Sequence, residues 1–265
     1  MMKSKNDELS SVTIQRAIDL VSLEDLQGAA VKARRLSDEL DDLRTYDHSP
    51  QGDWPIRRLI ADTYRGYHAD MLFTGLPAYA FLNLVCRLLL SDSDVVWAAG
   101  PLEPSAQESI DLLRSVDRKV EVMKADLRDV RHFERELLEV RPAIVYLHDP
   151  LATLGLSPAG IHELFAALER VGAWVVEDTS HRPLASFQSH PAALSQSATT
   201  DRFIHLGGFA EWYHPHLGTG FVMLRDVDLR NKFMKWISIN MIFPVIFPQR
   251  ITYFFTLQAV DVDAF

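Results

Sequence analysis

The sequence is short of cysteine, of basic charge and of long apolar runs, and each shortage excludes something. One of its 265 residues is a cysteine, Cys86, set in an apolar run with Leu82, Leu84, Val85 and Leu88. A single thiol excludes a disulfide framework and fits a core residue of a reduced, cytosolic protein. Lys and Arg total 27 against 36 Asp and Glu, a formal net charge of −9. Nucleic acids and anionic membranes reward Lys/Arg patches, so no nucleic acid and no membrane is expected as a partner. The greasiest stretch, Met241 to Leu257, is broken by Pro244, Pro248, Gln249 and Arg250 and makes a poor transmembrane helix. The first residues, Met-Met-Lys-Ser-Lys-Asn-Asp-Glu-Leu, lack the apolar centre of a secretory signal. The expected location is cytoplasmic.

What is there suits a globular protein. Hydrophobic residues are 48% and charged residues 24%, an average composition for a chain long enough to build a core without disulfides or metals. Residues 6–44 have a helical pattern, with Leu20, Leu23, Leu26, Val31, Leu36 and Leu40 as an irregular apolar stripe. Residues 1–45 are therefore expected as a helical arm, 46–240 as the main domain and 241–265 as an apolar C-terminal tail. From residue 55 helix-like segments (55–66, 78–90, 104–115, 128–139, 158–171) alternate with short apolar runs. The runs are Asp94–Ala98, Val120–Met123, Ala143–Leu147, Ala173–Val176, Phe203–Leu206 and Gly220–Leu224, and a helical pattern over Val227–Ile239 follows. Several are continuous rather than alternating, as strands covered on both faces should be. The order predicts an α/β three-layer sandwich around a mostly parallel sheet of about seven strands. In such sheets ligands sit beyond the carboxyl ends of the strands, so the residues just after each run are the candidates.

Four segments carry a resemblance. They are Pro50-Gln-Gly-Asp-Trp-Pro-Ile-Arg-Arg-Leu-Ile-Ala61, Arg87-Leu-Leu-Leu-Ser-Asp-Ser-Asp-Val-Val96, Leu156-Ser-Pro158 and Gly172-Ala-Trp-Val-Val-Glu-Asp178. In this order and spacing they resemble class I/II (fold-type I) aminotransferases, nearest to the aminotransferase-like half of MocR-type transcription regulators. The resemblance runs from residue 45 to 225. It implies the large domain of a pyridoxal phosphate (PLP) dependent transferase, and a dimer with the cofactor near the subunit interface. The family's small C-terminal domain, which supplies an arginine for the substrate carboxylate, is expected to be absent.

The resemblance also assigns positions. Asp178 falls where the family places the aspartate that keeps the pyridine nitrogen protonated. The family's lysine frame reads here Phe209-Ala-Glu-Trp-Tyr-His-Pro-His-Leu-Gly-Thr-Gly220, with Pro215, Leu217 and Gly220 in register. Glu211 thus stands at the Schiff-base lysine position, and Gly218 at the arginine that grips the phosphate. A carboxylate can neither form an imine nor shuttle the α-proton as a lysine amine does. Lysine to glutamate is two charge units and arginine to glycine one, so the pocket becomes roughly three units more negative, against an anionic cofactor. The phosphate turn aligns with Gly75-Leu-Pro-Ala-Tyr79, which makes Pro77 and Ala78 candidate cofactor contacts, and Pro77 lacks the N–H donor that phosphate cradles rely on. Glu103 replaces the aromatic that stacks on the ring, and Ser180 the tyrosine near its phenolic oxygen.

The expectation is an aminotransferase-like pseudoenzyme that serves as a binding or scaffold subunit, as a homodimer or beside an aminotransferase-like partner in amino-acid-derived biosynthesis. Two alternatives stay open. One is a PLP enzyme that holds the cofactor without an internal aldimine, with His181 or His214 as base. The other is a metal- or small-molecule-binding protein reusing the pocket, for which Asp178, His181, His205, Glu211, His214 and His216 are metal-capable, although their spacing matches no established signature. For the apolar segment 241–257, packing on its own domain, a subunit interface and an out-of-place remnant all remain open.

Overall fold

A computed structural model describes residues 23–39, 49–91, 94–99, 107–108, 111, 121–125, 130–150, 158–180, 194, 197–198, 200–209, 219–240 and 244–262. The strands in chain order are β1 (Leu72–Thr74), β2 (Val95–Ala99), β3 (Glu121–Ala125), β4 (Ile144–His148), β5 (Trp174–Asp178), β6 (Phe203–Gly208) and β7 (Gly220–Leu224). They form one seven-stranded sheet in the order β1-β7-β6-β5-β4-β2-β3. Strands β2 to β6 are parallel to their neighbours, whereas β7 runs antiparallel to both β6 and β1. Six of the strands fall on the apolar runs of the sequence. The seventh, β1, has three residues, too few to show a period, and it is held as an edge by pairing Leu72 with Met223 and Thr74 with Phe221.

The helices are α1 (Leu23–Glu39), α2 (Trp54–Thr63), α3 (Ala78–Leu89), α4 (Val130–Val140), α5 (Pro158–Val171), α6 (Val227–Ile239) and α7 (Ile246–Val262). The segment 104–115, expected as a helix, lies mostly outside the described residues. Helices cover both faces of the sheet, which is why most strand residues are apolar on both faces. Phe81 and Val85 of α3 and Phe233 and Ile237 of α6 pack with Tyr146, Val176, Ile204 and Val222. On the other face Phe133 and Leu137 of α4 and Leu164 and Leu168 of α5 pack with Val145, Val175 and Phe203. Neighbouring residues such as Val175 and Val176 thus point into different layers, as the strand pleat requires. A third cluster joins Ile56 and Ile60 of α2 to Leu72, Phe221 and Met223. The Cys86 side chain is buried in the first of these cores. Helix α6 starts at an N-cap, where the Asp226 carboxylate accepts from Leu229 N at 2.6 Å.

The C-terminal segment is structured. Helix α7 packs against α1 and α2, so residues 246–262 lie on their own chain rather than hanging as a tail. Four polar residues of α7, Gln249, Arg250, Thr252 and Thr256, are buried, and each has a partner. The threonine hydroxyls donate back to Pro248 O and Thr252 O one turn earlier. Gln249 Oε1 accepts from Asp53 N at 2.9 Å and from Thr74 Oγ1 at 2.7 Å, while Arg250 Nε meets Asp53 Oδ2 at 3.3 Å. The Pro-Gln-Gly motif is thereby clasped: Gln51 Nε2 donates to Asp70 O, and Arg57 Nη1 donates to Gln51 Oε1 and Ala69 O. The arm expected over 1–45 is helical across Leu23–Glu39, the part of it that is described. Among the described residues no helix is long and apolar enough to cross a membrane.

Candidate functional site

Asp178 closes β5, where the strand's carboxyl end meets the loops, and pairs in register with His148 of β4 and Leu206 of β6. It is 3% exposed. Its Oδ2 accepts from Tyr146 Oη at 2.6 Å, and its Oδ1 accepts from Ser180 N at 3.0 Å and Ser180 Oγ at 2.7 Å. Hydrogen bonds to an ionised acceptor are about twice as strong as neutral ones, so the carboxylate is firmly held. An ionised carboxylate offers about four acceptor directions, and the chain's own donors use three, which leaves one.

Around Asp178 the strand ends are tied together by close backbone approaches. Asp149 N donates to Asp178 O at 2.9 Å, and Asp149 itself sits at φ 38, an uncommon left-handed conformation for a buried non-glycine residue. Thr179 N donates to Leu206 O at 2.9 Å. At the end of β6 a Cβ on Gly208 would come within 2.8 Å of Ser180 O, so only glycine lets Ser180 settle there. Gly208 pairs with Gly220 across the sheet, and Gly220 N donates to Leu76 O at 2.7 Å. A Cβ on Gly220 would stand 2.6 Å from Ala78 N. Step by step these contacts connect Asp178 and Ser180 to the start of α3, placing Pro77 and Ala78 at the same end of the sheet.

Pro77 is the N-cap of α3, at φ −59 and ψ 150, with no side-chain cap hydrogen bond. The preceding turn is filled from within the chain: a Cβ on Gly75, at φ 91, would meet Gln249 Nε2 at 2.4 Å and Pro244 Cβ at 2.5 Å. The β6–β7 connection, which carries residue 211, closes with Phe209 N donating to Thr219 O at 3.1 Å. Glu103, His181, Glu211, His214, His216 and Gly218 lie outside the described residues.

His205 corrects one expectation. It is no strand-end ligand but lies within β6, fully buried on the opposite face from Tyr146. Its Nδ1 is 3.0 Å from Glu177 Oε2 and its Nε2 is 3.0 Å from Thr179 Oγ1. The other oxygen of Glu177 accepts from Leu194 N at 2.8 Å, and Tyr64 and Phe221 enclose the ring. Glu177 and Asp178 are neighbours that face opposite layers, and each is satisfied by its own set of donors. Among the described residues no three His, Cys, Asp or Glu side chains are grouped to hold a metal ion. Asp178 and Ser180 stand out in the sequence, but Tyr146 does not: it sits mid-strand in an apolar run where nothing marks it as polar in role.

No family model matches the sequence, and no curated protein matches it either. Solved structures do. LysN, the α-aminoadipate aminotransferase of Thermus thermophilus, complexed with N-(5'-phosphopyridoxyl)-L-leucine, matches with TM-score 0.71 at 19% identity, over 92% of this chain and 65% of that one. The fold is that of the aminotransferase large domain. A Pyrococcus horikoshii kynurenine aminotransferase matches with TM-score 0.72 at 17% identity, over 100% of this chain and 69% of its own. YbdL of Escherichia coli, which has a methionine aminotransferase function, gives TM-score 0.69 at 17% identity, over 99% of this chain and 74% of its own. The chain therefore spans about two thirds of the length of the aminotransferases it matches, 65% in the case of the Thermus enzyme. At these identities the likeness establishes the aminotransferase fold alone.

Proposed function

We propose that this chain is an aminotransferase-fold pseudoenzyme, a binding or partner subunit that does not transaminate. The observation that carries the reading is residue 211: two positions after Phe209, in the connection between β6 and β7, the chain has glutamate. At one end of that connection Gly208 meets Ser180, and at the other Gly220, which pairs with Gly208, meets the start of α3. In the family that the sequence resembles, a lysine at this position forms the imine with the cofactor; a carboxylate makes none.

The start of α3 favours the same reading. A phosphate cradle needs free N–H donors at a helix N-terminus. Here residues 76–78 are Leu-Pro-Ala, with no hydroxyl and one N–H fewer. The space beside Gly75 is taken by Gln249 and Pro244. These residues do not fit a cofactor anchored by phosphate and imine. The partner that suits such a subunit is a second copy or a full-length aminotransferase-like chain in amino-acid-derived biosynthesis. A second reading rests on Asp178, whose one open acceptor direction could take a protonated ring nitrogen; it makes this a protein that holds PLP without an internal aldimine.

The test is a spectroscopic titration with PLP of the wild-type chain beside Glu211→Lys. The pseudoenzyme reading expects no imine band from wild type and a new one from the variant. Saturable binding to wild type without an imine would turn the choice to the second reading. An imine on the wild-type chain would overturn both.

A further inference from the structure

Away from the strand ends, a groove of about 420 Å³ runs between α2 and the Tyr67–Asp70 segment. That volume lies in the range of small-ligand sites, about 300–1,000 Å³. Ala61 and Ala69 line it with side chains small enough to leave room. Trp54 forms one wall and is 53% exposed. The guanidinium of buried Arg57 lies over its ring at 5.2 Å. Tyr67 stands in the lining too, its ring already carrying Arg225 at 4.7 Å.

The polar groups of the groove carry both signs. Arg58 pairs with Asp62 at 3.2 Å along the outer face of α2, both side chains well exposed. The exposed carboxylate of Asp70 meets Arg230 at 3.1 Å. The Arg58–Asp62 pair is exposed on both sides and worth little to the fold, so it opens toward a ligand at small cost, whereas Arg230 is largely buried and only the Asp70 end of its pair is exposed at the groove. A purely anionic ligand would meet Asp62 and Asp70, and a purely cationic one Arg58. A zwitterion satisfies both, and the half-exposed indole of Trp54 suits an aromatic ring.

We propose that this groove is a second ligand site, which takes an aromatic α-amino acid. The ring lies against Trp54 over Ala61 and Ala69, the carboxylate takes Arg58, and the ammonium takes Asp70. The groove shares no residue with the Asp178 site, so it stands whether or not that site holds a cofactor.

The experiment is a ¹H–¹⁵N NMR titration of the full chain with L-phenylalanine, following the indole N–H resonances, with phenethylamine and 3-phenylpropionate as analogues that each lack one charge. The expected result is a saturable shift of the resonance that Trp54→Phe removes, with weaker binding of both analogues. Arg58→Gln and Asp70→Asn should each weaken binding about tenfold, the ratio that corresponds to ~1.4 kcal/mol. Because both side chains are exposed, the variants should keep the wild-type fold and circular dichroism. No saturable shift, affinity unchanged in Arg58→Gln and Asp70→Asn, or binding abolished by Asp178→Asn instead would each overturn the proposal.

Discussion

The phenol of Tyr146, on β4, donates to Oδ2 of Asp178, on the adjacent β5, at 2.6 Å with both residues buried. The two lie two residues out of register, since Tyr146 pairs with Val176 and His148 with Asp178. The contact therefore reaches along the sheet as well as across it. Together with Ser180 it gives a buried carboxylate its partners without any ligand. An acid placed for a cofactor would be costly to bury alone, whereas this one is stable in the chain by itself.

Tyr146→Phe keeps the ring in the core and removes the hydroxyl that makes this bond. Bonds to a charged acceptor contribute about 1.5–3 kcal/mol, so the variant should lose stability in that range, read from the urea midpoint at unchanged m. In an Asp178→Asn background the same change should cost less, because the acceptor is no longer ionised. Equal costs in the two backgrounds would mean that the hydrogen bond contributes nothing specific.

Glu177 and His205 make the second buried pair. His205→Leu fills the space among Tyr64 and Phe221 but leaves the carboxylate of Glu177 facing an apolar group. Leaving one partner of a buried hydrogen bond unsatisfied costs about 1–3 kcal/mol. Glu177→Gln with His205→Leu should recover much of it, since no charge is left behind. Thermal unfolding of the two single variants and the double variant decides the matter.

Much of the architecture was legible in the sequence, and for a physical reason. Strands covered on both faces are mostly apolar on both, so Val95–Ala99 and residues 144–147 stand out as runs. Strand β1 does not, because three residues on an edge need little hydrophobicity. Helix α7 was hidden by two prolines and by Gln249 and Arg250, which resemble breaks in an apolar tail. In the fold Pro248 lies in the first turn of α7, where a proline N–H is not needed. Gln249 and Arg250 point inward to Asp53 and Thr74, a role fixed by residues almost two hundred positions away in sequence. Asp178 was legible because it ends an apolar run. Its donor Tyr146 was not, since period and composition say nothing about which hydroxyl a buried carboxylate will find.

Gly75 and Gln249 are mutually dependent. Gly75 holds φ 91, and an added Cβ would overlap the Gln249 amide. Gly75→Ala should therefore cost about 1–3 kcal/mol from backbone strain alone, with a further steric share from Gln249. Gln249→Ala removes the acceptor of Asp53 N and Thr74 Oγ1 and is destabilising by itself. The double variant should be less destabilised than the sum, because the overlap is gone once the amide is removed. Strict additivity in denaturant unfolding would place the cost of Gly75→Ala in the backbone only.

Pro77 provides the sharpest test of why this pocket would have lost its cofactor. As N-cap of α3 it has no N–H and no side-chain oxygen to offer, and Leu76 O is already taken by Gly220 N. Pro77→Ser supplies both an N–H and a hydroxyl at the helix terminus, where an anion is favoured. Introduced alone it should leave PLP binding undetectable, because nothing covalent holds the aldehyde. Introduced into Glu211→Lys it should tighten PLP binding by about tenfold or more, given that one hydrogen bond to a charged group contributes about 1.5–3 kcal/mol. The imine absorbance gives the dissociation constant directly. A phosphate-free analogue, pyridoxal, separates the causes: its affinity for the double variant should match that for Glu211→Lys alone. Equal gains for both compounds would show that residue 77 does not face the phosphate, and the alignment of this turn with a phosphate cradle would fall.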